Sequence, residues 1–365
     1  MIRQGAIALL GRADTPTDGV EEYCNYLGGA LRARGISLAI ERFAWKERGW
    51  PRALRSLRRR AKAWKDSWVL VQYTALAWSA RGFPLRFSRV LHILKRAGAR
   101  IGVVFHDVEP FTGPRLMDRF RYSAQLHAMR RAMDACEVAV FTVPMEKLTW
   151  MQAYYTQAIF IPVGANLVVA GEAAFRTSGA GDGKLSIAVF SVTGARFMQR
   201  EVGEISDAVR CAAARVKNLK LTVFGRHAKD AEEELRKRLD GVPVEIQVLG
   251  LLSNEEVVRT MSDCDVLLFV RGPISTRRSS AIAGIACGLP VIAAEGPETS
   301  SHIKDAGVAF YSPQKNGNLG EVLLHVLEDE HYRASLAQRS WIAQQRHFSW
   351  NVIAARYAEF LGKTV

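Results

Sequence analysis

Apolar residues recur along this chain in two alternating patterns: short unbroken runs, and longer stretches carrying an apolar stripe. Unbroken runs bounded by turn formers mark strands buried on both faces. Stripes spaced by three and four residues mark amphipathic helices. The first half therefore predicts strands at 6–10, 37–40, 68–72, 101–105, 138–141 and 158–161, with helices at 20–34, 51–65, 84–97 and 114–135. The rhythm stops at 170–184, where Gly171, Gly179, Gly181 and Gly183 gather with Thr177 and Ser178. Such a stretch reads as a linker. Alternation then resumes, with strands at 185–191, 219–224, 245–249, 266–270 and 290–293. Ser253 followed by Glu256 is a capping box and fixes one helix start. The tail 349–361 is an amphipathic helix with Trp350, Ile353, Tyr357 and Phe360 on one side.

Strands alternating with helices predict parallel sheets. The expected organisation is an α/β domain over 1–170, a linker over 171–184, a second α/β domain over 185–345, and a terminal helix at 346–365 that returns to the first. Open parallel sheets bind ligands beyond the carboxyl ends of their strands. Two of them facing across a cleft place the ligand between domains.

Composition narrows the class. At 365 residues the chain exceeds one ordinary α/β core. Its 48% apolar and 24% charged content is that of a globular protein. It has no uncharged apolar run of about 18 residues, the length a membrane helix needs. The apolar segment 5–11 is too short for a signal peptide and is expected to be a buried strand. Cys24, Cys136, Cys211, Cys264 and Cys287 form no C-x-x-C pair. Reduced core thiols in a cytoplasmic protein follow.

The net charge of +14 points to an anionic partner: a phosphorylated substrate, a membrane surface or nucleic acid. The excess is uneven. Ten basic residues lie from Arg42 to Lys65, with Glu47 the one acid among them and Asp66 just beyond. The helix there opens on Pro51, sets Leu54, Leu57, Ala61 and Trp64 on one face, and covers the rest with Arg52, Arg55, Arg58, Arg59, Arg60 and Lys62. With Trp50, Trp64 and Trp68 beside it, this helix suits anionic headgroups.

The loops after strands carry the candidate chemistry. After the strand at 266–270 comes Arg271-Gly272-Pro273-Ile274-Ser275-Thr276-Arg277-Arg278-Ser279-Ser280, then a helix of small residues closed by Gly288. A helix start offers free N–H groups and the positive end of a dipole to an anion. Ser279 or Ser280 is expected to cap that start, and Arg277 and Arg278 add charge. Gly194-Ala195-Arg196 and Arg200 follow the strand at 185–191, and Gly225-Arg226-His227 follow the strand at 219–224. His106-Asp107 end the strand at 101–105. Gly179-Ala180-Gly181-Asp182-Gly183-Lys184 is no phosphate loop: its spacing is wrong, no Ser or Thr follows the Lys, and a strand follows in place of a helix. Zinc, zincin, nucleophile-elbow and nucleic-acid module signatures are absent.

An ordered set of motifs carries a family resemblance. The run Ala286-Cys287-Gly288-Leu289-Pro290-Val291-Ile292-Ala293 resembles an "ACGxPVIA" signature. Glu295-Gly296-Pro297-Glu298 resembles the "GGxPE" turn after it, and Asp18-Gly19-Val20-Glu21-Glu22 the "GGxE" loop that opens a first helix. Asn254-Glu255-Glu256 with Asp263-Cys264-Asp265-Val266 resembles "eel…aDv", and Phe348-Ser349-Trp350 resembles "FSW". Together they resemble the retaining nucleotide-sugar glycosyltransferases of the GT-B fold, family 4, over nearly the whole chain.

The resemblance implies two Rossmann-like domains, the first taking the acceptor and the second the donor. It implies a hexosyltransferase moving a sugar with retention from a UDP- or GDP-type donor to a lipid-linked, polysaccharide or other hydroxyl acceptor, with no metal cofactor. Arg196 and Arg200 would neutralise the diphosphate; Arg226 and Gly225 would contact base or phosphate; Gly19 and Glu298 belong to donor-binding motifs. His106 would orient the donor sugar, and Asp107 or Glu109 would accept a proton. The family's two glutamates fall at Ser275 and Ala283, so this chain departs from it there. The expected location is cytoplasmic, peripheral at the inner membrane face, and nucleic acid is not an expected partner. Two other readings stay open: a non-catalytic binding subunit of the same fold, and an α/β protein binding nucleic acid through its charge.

Overall fold

The computed structural model describes residues 4–15, 17–167, 183–194, 197–312 and 319–362. It divides into two compact units. The first takes in residues up to Pro162 together with Trp350–Val365, and the second is Val163–Ser349.

The first unit is built on strands β1 (Gln4–Leu10), β2 (Ile36–Arg42), β3 (Trp68–Tyr73), β4 (Arg100–Phe105), β5 (Val138–Phe141) and β6 (Ala158–Phe160), in the order β2-β1-β3-β4-β5-β6, all parallel. β3 is buried along its whole length, which is why Trp68–Tyr73 reads as an unbroken apolar run. Helices α1 (Gly19–Arg32), α2 (Trp45–Arg48), α3 (Trp50–Ala61), α4 (Phe87–Arg96) and α5 (Leu116–Ala135) connect them. Asp18 caps α1 by accepting from the N–H groups of Val20 and Glu21.

The basic stretch is helical as expected, ending in a tight turn at Lys62–Trp64. Its tryptophans correct the expectation. Trp64 and Trp68 are only 8% and 3% exposed and sit in the core or beneath the C-terminal helix, so neither is free to meet a surface. Leu54, Leu57, Ala61 and Trp64 form one stripe that packs on the sheet. Arg60 pairs with Glu41 and bonds the carbonyl of Arg42. Arg52, Arg55, Arg58, Arg59 and Lys62 stay exposed.

The second unit holds β7 (Leu185–Phe190), β8 (Leu219–Phe224), β9 (Val244–Gly250), β10 (Val266–Phe269), β11 (Val291–Ala294) and β12 (Val308–Tyr311), also parallel, in the order β12-β11-β10-β7-β8-β9. Its helices are α6 (Met198–Ala213), α7 (Ala228–Arg238), α8 (Asn254–Ser262), α9 (Ser279–Ala286), α10 (Ser301–Lys304), α11 (Leu319–Glu328) and α12 (Glu330–Ala343). The Ser253–Glu256 capping box forms. The small-residue helix α9 lies tight on the sheet: a Cβ at Gly284 would meet Leu267 at 2.4 Å. Strand β12 has no counterpart in the sequence reading, which ended the sheet at 290–293.

Past α12 a π-helical turn, Gln344–Phe348, leads into α13 (Trp350–Leu361), which belongs to the first unit. There the hydroxyls of Tyr23 and Tyr357 bond at 2.9 Å, Trp350 stacks on Tyr26, and Arg34 reaches Asn351. Most of the expected linker, 171–182, lies outside the described residues.

Candidate functional site: an arginine-lined anion pocket

In the second sheet the chain runs from β7 outward through β8 to β9, then crosses back to place β10 on the other side of β7. The gap between the loops after β7 and β10 is thus the topological switch point, where open α/β sheets hold ligands. The backbone there is unusual. Ser191 and His227 both adopt positive φ, 69° and 57°, and Gly225 has φ 90°. Non-glycine residues rarely take that conformation, and it clusters at working sites. The Arg226 N–H donates to Ser191 Oγ at 3.1 Å, and the Val192 N–H to the Arg226 carbonyl at 3.0 Å. These bonds tie the loops after β7 and β8 together.

Thr193, after β7, donates its N–H to the buried Glu201 carboxylate at 2.7 Å. Arg271, after β10, extends Nε to Thr193 Oγ1 at 3.4 Å, a long contact. Burial pushes the Arg271 pKa down; the nearby Glu201 carboxylate opposes that and the Arg226 cation adds to it. The group stays charged, but the fold holds that charge at a cost.

Arg271 lines a polar cavity of about 190 Å³ with Phe269, Arg277, Arg278, Ser279 and Ser280. Three of these six residues are arginines and none is acidic. The N-terminus of α9 opens into it. The expected serine cap is not what forms: Arg278 is the cap residue, no side chain caps the helix, and Ser279 and Ser280 are its first two residues. The first N–H groups of α9 are therefore left to solvent or ligand.

Arg277 is held by a two-pronged pair with Glu298, at 2.7 and 2.9 Å. Burial alone would raise the Glu298 pKa, but the Arg277 hydrogen bonds and charge outweigh it and hold the carboxyl below its ordinary value. The loop is anchored from behind. The Ile274 N–H donates to the Ala294 carbonyl, Thr299 Oγ1 donates to the Ile274 carbonyl at 2.7 Å, and the Thr276 carbonyl accepts from Val163. Ser275 and Ala283, where the resembled family carries glutamates, are both buried. The arrangement is a rigid, cationic cradle with exposed N–H groups, which is the chemistry of a polyphosphate site.

In the first unit, His106 follows β4 and Gly19 opens α1. The buried Gln72 amide donates through Nε2 to the Leu70 carbonyl, so its oxygen faces His106 Nε2, 2.9 Å away. A carbonyl oxygen only accepts, so His106 carries its proton on Nε2 and presents Nδ1 as its acceptor. Tyr23 packs edge-on against the ring at 5.1 Å. The Asp107 carboxylate accepts the Ala75 N–H at 2.8 Å, and Glu109 accepts from Thr149, so both acids brace neighbouring loops. Nitrogen NMR of the His106 ring should find the Nε2–H form alone in the wild type and a mixture of the two neutral forms in Gln72→Leu. A wild-type ring protonated on Nδ1 would rule the assignment out.

The structure thus brings Arg277, Arg278, Ser279 and Ser280 together around one cavity, with Ser275, Thr276 and Glu298 behind it. Gly225 and Arg226 stand at the adjoining strand end. Arg200 lies in the first turn of α6, half exposed, pairing with Glu204 at 3.4 Å. Arg196 lies outside the described residues. Sequence reasoning placed Arg271 at the head of this loop without giving it a role, and it missed Thr193 and Glu201. Among the described residues no group of three or more His, Cys, Asp or Glu side chains gathers as a metal site, and no helix is long and apolar enough to cross a membrane.

No family model and no curated protein matches the chain. Solved structures do. HepE of Anabaena, in complex with UDP and glucose, aligns with a TM-score of 0.68 at 14% identity, over 99% of this chain and 100% of that one. WaaG, a glycosyltransferase involved in lipopolysaccharide biosynthesis, aligns at 0.59 and 13% identity over 98% and 100%. A putative UDP-N-acetylglucosamine 2-epimerase from Listeria monocytogenes aligns at 0.60 and 10% identity over 100% and 98%. With the two six-stranded parallel sheets, these matches define the fold as GT-B, two Rossmann-like domains in one chain.

Proposed function

We propose that this chain is a glycosyltransferase that moves a sugar, with retention, from a nucleotide-sugar donor to a hydroxyl of a lipid-linked or glycan acceptor. The observation that carries the reading is the cavity at the switch point of the second sheet, where Arg271 and Arg278 meet the uncapped start of α9. Fold alone does not decide the chemistry, since a putative epimerase shares it. UDP in the HepE complex supports a uridine donor.

In this reading the donor diphosphate lies on the α9 N–H groups and the arginines. As the bond from the sugar to the diphosphate breaks, charge builds on the leaving oxygen, and these groups stabilise it. The acceptor oxygen bonds the sugar carbon on the same face and passes its proton to that leaving oxygen. No carboxylate is required of Ser275 or Ala283. His106, held by Gln72, orients the donor sugar. The exposed cations of α3 favour an anionic membrane bearing the acceptor.

A thermal-shift series with UDP, GDP, ADP and their sugars tests this. A ligand at about 100 times its Kd adds about 2.7 kcal/mol of stability. UDP and UDP-sugars should raise the unfolding temperature, and sugar transfer or donor hydrolysis should follow. The burial of Ser275 and Ala283 favours a second reading, a donor-binding subunit without activity. Binding with no turnover of any sugar nucleotide would select it, and no shift with any nucleotide would sink both.

A further inference from the structure

With Trp64 and Trp68 buried and Trp50 half-buried, α3 offers a membrane charge but little apolar surface. Large exposed apolar side chains gather elsewhere. Leu76, Leu85, Phe111, Leu116, Met117 and Phe120 all lie in the segments that follow β3 and β4. Leu116, Met117 and Phe120 are the most concentrated of them: 68%, 57% and 61% exposed, at the first turns of α5. Positions three and four residues apart share one side of a helix, so Phe120 lies beside both Met117 and Leu116. Soluble surfaces seldom carry such a cluster without a partner.

The setting is cationic. Arg115 and Arg119 flank the three side chains, and Arg81, Arg86 and Arg89 are exposed on the preceding segment and α4. The acid within the turn, Asp118, is buried; it accepts the Arg115 N–H and pairs with Arg121, so it does not offset them. The turn is also stiff. Arg121 lies over the rings of Phe83 and Phe111 at 5.6 and 5.1 Å, and Gln125 bonds both Phe111 and Gly82. Arg86 lies 5.8 Å from the Trp50 ring, which joins the start of α4 to the start of α3. The helices α3, α4 and α5 each follow a strand of one parallel sheet, so their starts line the same carboxyl edge.

We infer that the start of α5 is a membrane-docking wedge: Leu116, Met117 and Phe120 enter the headgroup–acyl boundary of an anionic bilayer, with Arg115, Arg119 and the cations of α4 and α3 on its phosphates. Apolar side chains ringed by arginines fit that boundary, whose outer layer is anionic and inner layer apolar. A folded protein partner would match the apolar patch but not so many outward cations. The inference deepens the glycosyltransferase reading by placing the acceptor on a bilayer, yet it is measured without any donor, so the two fail separately.

The test uses the full chain and sedimenting vesicles of phosphatidylcholine, alone or mixed with phosphatidylglycerol. Wild type should bind the mixed vesicles and not the neutral ones. Salt should weaken the charged part of binding and spare the apolar part. Leu116→Ser/Met117→Ser/Phe120→Ser should bind mixed vesicles at least about tenfold more weakly, with the same unfolding temperature and UDP response as wild type, because these side chains are exposed. Arg55→Ser/Arg58→Ser/Arg59→Ser should lose only the salt-sensitive part. Wild-type binding by the serine variant overturns the proposal, as does a wild type that ignores anionic vesicles. So does a wild-type dimer that the serine variant turns into a monomer, which would make the patch an interface between copies.

Discussion

Arg271→Leu weakens UDP binding by roughly 10- to 100-fold while leaving the unfolding temperature of the free protein unchanged or raised. Both halves follow from the same geometry. Hydrogen bonds to charged groups contribute about 1.5–3 kcal/mol, and each 1.4 kcal/mol or so is tenfold in affinity. Arg271 lines the cavity, and its Nε reaches the Thr193 hydroxyl only at 3.4 Å. Its pKa is lowered in the folded state, first by burial. A cation whose folded pKa falls below its unfolded value destabilises the fold at every pH where it is charged, which includes neutrality. Removing it relieves that penalty, of which the Glu201 carboxylate offsets a part in the folded protein. Isothermal titration with UDP and a melting curve without ligand check the two halves. Unaltered affinity would remove Arg271 from the site, and a large loss of stability would make it a structural residue.

Gly307→Ala should carry the largest stability cost of any glycine-to-alanine change among the described residues. Gly307 precedes β12, and a Cβ there would lie 1.8 Å from the Leu336 carbonyl oxygen and 2.5 Å from Ser340 Oγ. The first obstacle is backbone of α12, which cannot rotate away. Overpacking a tight site costs about 1–3 kcal/mol when side chains can move, and more when they cannot. The substitution should lower the unfolding temperature by several degrees or prevent soluble expression. A denaturant midpoint equal to wild type would show that α12 shifts freely.

The fold was largely legible because parallel strands buried on both faces leave unbroken apolar runs. β3, β4 and β10 are of this kind. β12 was not legible: Val308–Tyr311 is four residues long, and the helix before it, α10, is only four residues as well. Neither is long enough to show a period. In α3 the period was read correctly, but the period alone did not say what the stripe packs on, which is the sheet. Leu57, Ala61 and Trp64 make the same stripe whether it packs on a sheet or on lipid. The Arg277–Arg278 loop stood out because two arginines sit before a helix of small residues. Arg271 belongs to the same stretch but had no role there, since a single arginine directly after a strand acquires one only from strand order. That order puts β10 beside β7, and no local pattern in either strand records it. The wedge on α5 was hidden for a related reason: Leu116, Met117 and Phe120 look like core residues of an amphipathic helix until burial shows otherwise.

The return of α13 to the first unit bears on how the protein is made. Residues 163–349 are continuous, so the second unit has its whole sequence as soon as it leaves the ribosome. The first unit, begun earlier, does not. Tyr23 and Tyr26 on α1 meet Tyr357 and Trp350, which are synthesised after the whole second unit. Throughout translation of the second unit, the α1 face of the first lacks its cover. A chain cut short before residue 350 would complete its second unit and leave that face of its first unit open.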